Sequence, residues 1–406
     1  MRVVIGAFGT RGDVQPMIGL AQALSKKGHS VWAAVPPSSL ALARAHGLDV
    51  SAVGLDYEGV SRRSANGTFA ELVALARLLR GEVEVQVQAL EPRVREADLL
   101  VGSSVLAAGA LLEELVGTPY AFFGFCPQLF RSAHHPTPSV PWQRLPRWLN
   151  RLSWAGNEAL WGLMLKPALD AARARRGLRP SPAVWASLTS AHPFLACEPS
   201  LALSPPDHSP AVTQVGALVM HDAGTLSAAT RAFLDSGPAP VFIGFGSMSD
   251  PNPARTTERL VDAVRSVGVR AIISRGWARL GMEDAGPHLH FADAEPHPAL
   301  FPRCAAIVHH GGAGTLHAAA RAGVPQVLMP QLLDQHYWAN RVLELGLGHV
   351  VPRHDEDPSR LADALRACLA DGALQARCRA QALAMRSDGV DVAIEHLEAL
   401  AARRGG

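Results

Sequence analysis

The sequence predicts an α/β fold with two doubly wound domains that face each other across a cleft. A chain of 406 residues is too long for one ordinary hydrophobic core and suits two domains. Apolar runs of strand length alternate with segments of helical period twice along the chain. Stretches rich in Pro, Ser and Gly separate the two series between residues 198 and 240.

The first series of elements begins at the N-terminus. RVVIGAF reads as a strand, and a helix follows from about Pro16 to Lys27, where Gly28 ends it. HSVWAAV, DLLVGSS and PYAFFGF read as further strands, with an apolar helix at about 105–116 between the last two. Continuous apolar strands joined by helices are typical of a parallel sheet covered on both faces. We assign residues 1–205 to this first domain.

A second series repeats the alternation after a linker that we place at residues 206–225. The second domain, residues 226–385, contains in order PVFIGFGS, a helix at about 255–267, RAIIS, LHFAD, AAIVHH, a helix from Thr315 to Ala322, PQVLMP and a helix from Tyr337 to Leu345. Residues 358–403 read as helices, and we expect the segment 386–406 to pack back on the first domain.

Composition and charge exclude several classes of protein. Lys and Arg number 38 against 36 Asp and Glu, and no basic block stands out, so neither nucleic acid nor an anionic membrane surface is indicated. The five cysteines lie far apart without a CxxC pair, which predicts reduced thiols rather than a metal site or a disulfide framework.

The ends of the chain and its apolar runs bear on location. The N-terminal run reads as a strand rather than a signal peptide, and Glu113, Glu114 and Pro119 interrupt the longest apolar region. We expect a cytoplasmic protein without a transmembrane segment, present as a monomer or a weak dimer.

Three loops of the second domain follow strands and carry residues suited to phosphate and hydroxyl groups. FIGFGSM ends with glycines that let a phosphate approach the backbone, and with the hydroxyl of Ser247. HHGGAGT precedes a helix, where free N–H groups and the helix dipole attract an anion; its candidate ligands are His310, Gly311, Gly312, Ala313, Gly314 and Thr315. Asp334 and Gln335 follow the next strand and suit vicinal hydroxyls.

Each of these loops also has a plainer interpretation. GFGS alone can be a tight turn, and an Asp-Gln pair alone carries little information. HHGGAGT is more specific, because glycine turns rarely combine a histidine donor with a threonine at a helix start. The three loops in this order, each after a strand, reinforce one another.

These motifs resemble those of the nucleotide-sugar glycosyltransferases of the two-Rossmann (GT-B) type, family 1. Within that family the chain is similar to the bacterial enzymes that glycosylate antibiotics and other natural products, and to the sterol glucosyltransferases. The resemblance covers nearly the whole chain and is carried by GTRGDVQPMIGLAQALSKKGHSV, VFIGFGSM, LFPRCAAIVHHGGAGTLHAAARAGVPQVLMP and DQHYWANRVLELGLG. It is weakest at about 55–95 and 127–200.

The resemblance implies roles for the residues of these motifs. Ser247 and the loop from His310 to Thr315 would hold the donor diphosphate. Asp334 and Gln335 would hold the donor hexose, and the turn at 291–297 would lie along the nucleobase. The second domain would thus bind the nucleotide sugar, and the first domain would bind the acceptor.

The N-terminal loop GAFGTRGDVQP contributes different residues. Its glycines stand three apart, which is not GxGxxG, and the second strand ends without an acidic residue, so a dinucleotide site is disfavoured. The loop instead directs Thr10, Arg11 and Asp13 into the cleft. Asp13 falls where many plant relatives carry a catalytic histidine and antibiotic-type relatives carry an aspartate.

Asp13 has two interpretations. As a general base it would remove the proton of an acceptor hydroxyl, which attacks poorly while protonated. As an N-cap it would only begin the helix near Pro16, and Arg11 could pair with it. VGSS, at residues 101–104, has serines where plant relatives often have an aspartate, so Asp13 would act without a dyad partner.

The remaining candidates concern the acceptor and metals. Trp142, Trp148, Trp154 and Trp161 recur at six- or seven-residue spacing and form either core or one wall of an apolar pocket. His134 lies in a Pro-rich loop, either on the surface or lining that pocket, and with Trp142 it is our candidate for acceptor contact. Asp355, Glu356 and Asp357 read as a solvated loop at a helix start, so no metal is expected.

Together these observations predict an inverting O-glycosyltransferase. It would move a hexose from a UDP- or dTDP-sugar co-substrate to a hydroxyl of a lipophilic natural product, such as a polyketide, macrolide or sterol-like alcohol, with no cofactor or metal. Two alternatives remain open: a hydrolysing nucleotide-sugar epimerase on the same fold, and a catalytically silent homologue that binds a partner.

Overall fold

The computed structural model of the protein describes residues 1–63, 69–220, 224–283, 286–353 and 357–403. They form two compact units, one drawn from Met1–Val140, Arg144–Met220 and Arg386–Gly406, the other from Pro141–Gln143 and His221–Met385. Each unit contains one parallel sheet with helices, which confirms the predicted fold class. No helix in the described part of the chain is long and apolar enough to cross a membrane.

The first unit is built on a seven-stranded sheet with the order β3-β2-β1-β4-β5-β6-β7. Its strands are β1 (Arg2–Phe8), β2 (Ser30–Val35), β3 (Asp49–Ala52), β4 (Leu99–Ser104), β5 (Tyr120–Gly124), β6 (His192–Leu195) and β7 (Thr213–Gln214). Its helices include α1 (Arg11–Lys26), α2 (Leu40–Ala45), α3 (Tyr57–Arg63), α4 (Phe69–Arg95), α5 (Gly109–Val116), α6 (Arg147–Ala174) and α7 (Val184–Thr189). The strand order reverses between β1 and β4.

The second unit is built on a six-stranded sheet with the order β10-β9-β8-β11-β12-β13. Its helices are α8 (Ala228–Asp235), α9 (Pro253–Val267), α10 (His297–Leu300), α11 (Ala313–Arg321), α12 (Gln335–Leu345), α13 (Pro358–Ala370) and α14 (Gly372–Ala384). Its strands are β8 (Val241–Gly244), β9 (Ala271–Ser274), β10 (Leu289–Ala292), β11 (Ala306–His309), β12 (Gln326–Leu328) and β13 (Gly348–Val350). The order here reverses between β8 and β11.

The last helix, α15 (Gly389–Ala402), belongs to the first unit. Val390, Ile394 and Leu397 are buried in the same hydrophobic core as β1 and α1. Residues 206–220, which the sequence assigns to a linker, also lie in the first unit, because β7 extends its sheet and Val215 is fully buried.

Two helices differ from the sequence-based expectation. Helix α1 begins at Arg11 rather than near Pro16, because the extended backbone of Thr10 already serves as the N-cap. Pro16 therefore lies inside the helix, where it cannot donate a backbone hydrogen bond. The segment with the four spaced tryptophans contains one 28-residue helix, α6, for which the sequence analysis set no bounds.

Candidate active site

In the first unit, the loops after β1 and β4 lie on the two sides of the point where the strand order reverses. Ligands of doubly wound sheets bind at such a switch point, beyond the carboxyl ends of the strands. The loop after β1 contains Gly9 with φ of +132°, a backbone conformation that glycine tolerates best. A Cβ atom at position 9 would stand 2.4 Å from Oδ2 of Asp13. The glycine therefore leaves room for that carboxylate.

Asp13 is the third residue of α1, and Thr10, not Asp13, is the N-cap. Oδ2 of Asp13 accepts hydrogen bonds from the backbone N–H of Thr10 at 2.8 Å and from its hydroxyl at 3.1 Å. Oδ1 accepts a hydrogen bond from the Ser104 hydroxyl at 2.9 Å. A carboxylate has about four acceptor positions. The described residues occupy three of these positions, so one acceptor position on Oδ1 is left for a proton from a ligand.

Ser104 reaches Asp13 because its backbone is unusual. It ends β4 with φ of +52°, in the left-handed region that a residue other than glycine adopts only at a cost. The neighbouring Ser103 hydroxyl donates to the backbone carbonyl of Asp13 at 3.3 Å. Two consecutive serines thus hold the first turn of α1 against the end of β4. The sequence located these serines but gave them no role.

The environment of Asp13 changes its acidity. Burial raises the pKa of the Asp13 carboxyl, and the hydrogen bonds from Thr10 and Ser104 oppose that rise. Burial likewise raises the pKa of the Tyr57 hydroxyl, with contributions from the charges of Glu82 and Asp13. The Tyr57 hydroxyl is buried and has no hydrogen-bond partner among the described residues. A basic carboxylate and a protonated phenol thus belong to the same region of the first unit.

The other candidates that the sequence assigns to the first domain occupy different environments. The Arg11 guanidinium is exposed and donates to Oε1 of Gln15 at 3.1 Å rather than pairing with Asp13. The side chain of His134 is exposed, and Trp142, which groups with the second unit, is 71% exposed. Trp154 is buried core, and Trp161 packs its ring against Trp185. The four tryptophans are therefore neither all core residues nor all part of one pocket wall.

In the second unit, the loops after β8 and β11 lie on the two sides of its switch point. Gly246 has φ of +57°, and a Cβ there would stand 3.2 Å from Cε1 of His310. A Cβ at Gly312 would stand 2.5 Å from Nε2 of the same ring. The imidazole of His310 is therefore enclosed by two glycines whose missing side chains make its position possible.

His309 fixes the backbone of the glycine loop. Its Nδ1 accepts the backbone N–H of Gly311 at 3.1 Å, so the proton of the neutral ring is on Nε2, which donates to Oε1 of Gln326 at 2.9 Å. Burial lowers the pKa of His309 to about 4, so the ring is neutral near pH 7. The amide of Gly311, one of the predicted phosphate donors, is therefore already used inside the protein.

His310 is also neutral. Burial, with smaller contributions from His309, His297 and Arg353, lowers its pKa to about 3. Its Nδ1 is buried and finds no hydrogen-bond partner among the described residues. A neutral imidazole has one N–H donor and no net charge. It can bind a phosphate oxygen by a directed hydrogen bond rather than as a cation.

Helix α11 begins directly after this loop, with Gly312 as its N-cap. The first hydrogen bond of the helix runs from the N–H of Leu316 to the carbonyl of Gly312 at 3.0 Å. The preceding amides of Ala313, Gly314 and Thr315 have no acceptor within a helix. Together with the positive end of the helix dipole, they suit an anion.

The predicted sugar ligands lie at the start of α12. Asp334 is its half-buried N-cap. The preceding residue, Leu333, ends the loop after β12 and, like Ser104, has a strained backbone, with φ of +53°. The side chain of Gln335 is buried, with Oε1 accepting from the backbone of Gln331 at 2.8 Å. Nε2 of Gln335 donates to Sδ of Met248, which is next to half-buried Ser247. Gln335 thus connects the β8 and β12 loops.

A residue that the sequence did not reveal supports the β8 loop. Arg353, after β13, forms an ion pair with Asp250, and only 8% and 3% of the two side chains are exposed. The guanidinium also lies over the ring of Phe245, 4.8 Å from its centroid. No sequence motif marks this contact, because the partners are 103 residues apart.

The acidic, histidine and cysteine side chains bear on metal binding. In residues 1–63, 69–220, 224–283, 286–353 and 357–403, no group of three or more His, Cys, Asp or Glu side chains is placed to hold a metal ion. Asp355 and Glu356 lie outside the described residues. Asp357 is the N-cap of α13 and accepts the backbone N–H of Ser359 at 2.9 Å.

Two family models match parts of the chain. Residues 3–105 match the description "Glycosyltransferase family 28 N-terminal domain", and residues 258–396 match "Erythromycin biosynthesis protein CIII-like, C-terminal domain".

Individual relatives match over nearly the whole chain. The vancomycin aglycone glucosyltransferase of Amycolatopsis orientalis is 34% identical over 97% of this chain and 96% of its own length. A sterol 3-beta-glucosyltransferase of Arabidopsis thaliana is 28% identical over 97% of this chain and 65% of its own length.

Solved structures share the fold. The glycosyltransferase VinC, crystallised with dTDP, has a TM-score of 0.70 at 23% identity, covering 99% of this chain and 100% of its own. The glycosyltransferase of kitacinnamycin has a TM-score of 0.71 at 18% identity, covering 98% of both chains.

Proposed function

The chain belongs to the antibiotic-type glycosyltransferases of the GT-B fold, and from that premise we propose that it is an inverting O-glycosyltransferase with Asp13 as its general base. The donor is a UDP- or dTDP-hexose, and the acceptor is a hydroxyl of a lipophilic natural product. VinC was crystallised with dTDP, and the vancomycin relative is a glucosyltransferase acting on an aglycone, which supports this choice of substrates.

Asp13 removes the proton of the acceptor hydroxyl. As the hydroxyl oxygen attacks the anomeric carbon, its proton passes to Oδ1 of Asp13, the carboxylate oxygen with an open acceptor position. Ser104 and Thr10 hold the carboxylate in one orientation. Burial raises the pKa of Asp13, and a more basic carboxylate takes the proton more readily.

The nucleoside diphosphate departs in the same displacement. The bond between the anomeric carbon and the β-phosphate oxygen breaks while the new carbon–oxygen bond forms on the opposite face, so an α-linked donor gives a β-linked product. The leaving diphosphate gains negative charge, which the amides of Ala313, Gly314 and Thr315 and one N–H of His310 stabilise. Ser247 adds a hydroxyl donor, and Asp334 with Gln335 positions the hexose.

A single observation carries the choice of mechanism: the Asp13 carboxylate is held by three hydrogen bonds and keeps one acceptor position. A hydrolysing epimerase needs several acid–base groups around the sugar. In the described loops after β1, β8, β11 and β12, the acidic side chains are Asp13, Asp334 and Asp250, and Asp250 is already paired with Arg353. A silent homologue has no need for a strained Ser104 that orients a carboxylate.

The test is transfer itself. Purified protein is incubated with UDP- and dTDP-hexoses and a panel of lipophilic alcohols, and products are identified by mass spectrometry and by the anomeric coupling in NMR spectra. We expect a β-glycoside and free nucleoside diphosphate in equal amounts. Nucleotide binding by calorimetry without transfer to any alcohol, but with release of free hexose epimer, would favour the epimerase. No binding of either nucleotide would favour the silent homologue.

A further inference from the structure

Helix α6 exposes a row of large apolar side chains. Trp148 is 64% exposed, Leu152 60%, Leu160 38% and Leu163 72%. At about 100° per residue these four positions span about 120° of the helix surface and about 22 Å of its length. Ala155, Gly156 and Ala159 lie exposed between them. We call the set from Trp148 to Leu163 the apolar stripe.

The fold of the first unit does not require the apolar stripe, because the opposite face of α6 supplies the packing. Trp154, Met164 and Leu165 are buried on that face. Asn150 donates from Nδ2 to the carbonyl of Ala133 at 2.9 Å and anchors the preceding loop. Exposing four large apolar side chains on one helix face is therefore a cost that packing within the unit does not explain.

The charged residues at the N-terminal end of the apolar stripe are arginines. No acidic residue occurs in the sequence between Glu114 and Glu158. Glu158 faces α7, where its Oε1 accepts the backbone N–H of Val184 at 2.6 Å. Arg144, Arg147 and Arg151 are exposed at the N-terminal end of the stripe. A helix surface with apolar side chains flanked by arginines is typical of helices that lie in the interface of an anionic membrane.

We propose that the apolar stripe and its three arginines dock the protein on the surface of a membrane that contains anionic lipids. Trp148, Leu152 and Leu163 enter the interfacial region, and the guanidinium groups contact lipid phosphates. A second copy of the chain fits less well. A two-fold contact between stripes would bring two sets of arginines to one interface, where like charges repel.

Docking of this kind does not cross the bilayer and uses one face of one helix. It places the first unit where apolar alcohols concentrate. This benefit for the acceptor rests on the proposed function, whereas lipid binding itself is independent of that function. Arg144, Arg147 and Arg151 are not residues of the candidate active site, so lipid binding can be measured separately from transfer.

The experiment is co-sedimentation of the full chain with phosphatidylcholine vesicles, with and without phosphatidylglycerol. We expect binding to the anionic vesicles and little binding to the neutral ones. Arg147→Gln with Arg151→Gln should weaken binding about 25-fold, since each basic residue near an anionic surface contributes about fivefold. Trp148→Gln with Leu152→Gln should weaken it at least as much.

Matched controls separate the stripe from general surface effects. Arg44→Gln with Arg265→Gln removes two exposed arginines elsewhere, and Leu383→Gln removes a leucine that is 89% exposed in the second unit. Both controls should bind anionic vesicles like the wild type, and thermal melts should show all variants folded. Absence of wild-type binding, equal binding to neutral vesicles, or equal loss in the controls overturns the proposal. So does a dimer in sedimentation velocity that Trp148→Gln dissociates, because the stripe would then be an interface between copies.

Discussion

At the switch point of the first sheet, β1 and β4 lead to Asp13 and Ser104, whereas at the switch point of the second sheet, β8 and β11 lead to Gly246 and His310. The first pair is a carboxylate held by a hydroxyl at 2.9 Å. The second is a neutral imidazole enclosed by glycines. Topology gives both sheets a binding position, and the loop residues decide what is done there.

The comparison also shows two uses of glycine. Gly9 in the first unit makes room for a charged side chain of its own loop, with a Cβ contact of 2.4 Å to Asp13. Gly312 in the second unit makes room for His310 and starts the helix whose amides suit an anion. We therefore expect damage to the first loop to affect proton removal and damage to the second to affect nucleotide binding.

The largest effect should follow from Asp13→Asn. The amide keeps the size of the side chain but cannot take up the acceptor proton, so turnover should fall about 10²–10⁴-fold. Donor affinity, measured by calorimetry with a sugar nucleotide, should stay within a few-fold of the wild type. Unchanged turnover would reduce Asp13 to a structural residue of the α1 start and would remove the distinction between the two loops.

The converse change is His310→Ala. Loss of one hydrogen bond to a charged phosphate should weaken sugar-nucleotide binding about ten- to hundredfold. Turnover at saturating donor should fall much less than in Asp13→Asn, which serves as the matched variant for the other loop. An unchanged dissociation constant would contradict a role for His310 in holding the diphosphate.

A smaller effect is expected for Ser104→Ala. Removal of its hydroxyl should lower turnover about two- to tenfold, the range of a typical net hydrogen bond. Because that hydroxyl lowers the pKa of Asp13, its loss raises the pKa, and the acidic limb of the pH–rate profile should move to higher pH. Ser103→Ala, which touches only the backbone of Asp13, is the control. An acidic limb that moves equally in both variants would assign Ser104 a purely structural role.

The smallest effect is expected for the pH dependence of sugar-nucleotide affinity. Because burial lowers the pKa of His310 to about 3, the ring stays neutral from pH 8 to pH 5. Sugar-nucleotide affinity should therefore change less than about twofold over that range, measured by calorimetry at constant ionic strength. A cationic His310 would instead bind the diphosphate more tightly as the pH falls through 6.5, and such a rise would contradict the neutral site.

Much of the fold could be predicted from the sequence, because the alternation of apolar runs and helical periods is long and regular. The short strands β3, β7 and β13 could not, since DVSA, TQ and GHV contain no continuous apolar run, whereas the equally short β12 lies in PQVLMP. The sequence places the start of α1 too late, near Pro16, because proline marks a first turn more visibly than Thr10 does.

The site was only partly visible in the sequence, for a related reason. HHGGAGT and Asp13 lie in continuous motifs, so their residues could be proposed directly. Ser104 bonds to a residue 91 positions away and Arg353 to one 103 positions away, and such contacts exist only after folding. The net charge of +2 likewise does not reveal Arg144, Arg147 and Arg151 within a segment that has no acidic residue, because it averages over the whole chain.

The central claim is that the start of α11 holds a pyrophosphate while the loop after β1 does not. A crystal structure of the Asp13→Asn protein with an intact sugar nucleotide tests it most directly. We predict the pyrophosphate oxygens within hydrogen-bond distance of the amides of Ala313, Gly314 and Thr315 and of one nitrogen of His310. A nucleotide bound at the Gly9–Asp13 loop, or one whose phosphates lie away from α11, would contradict the account.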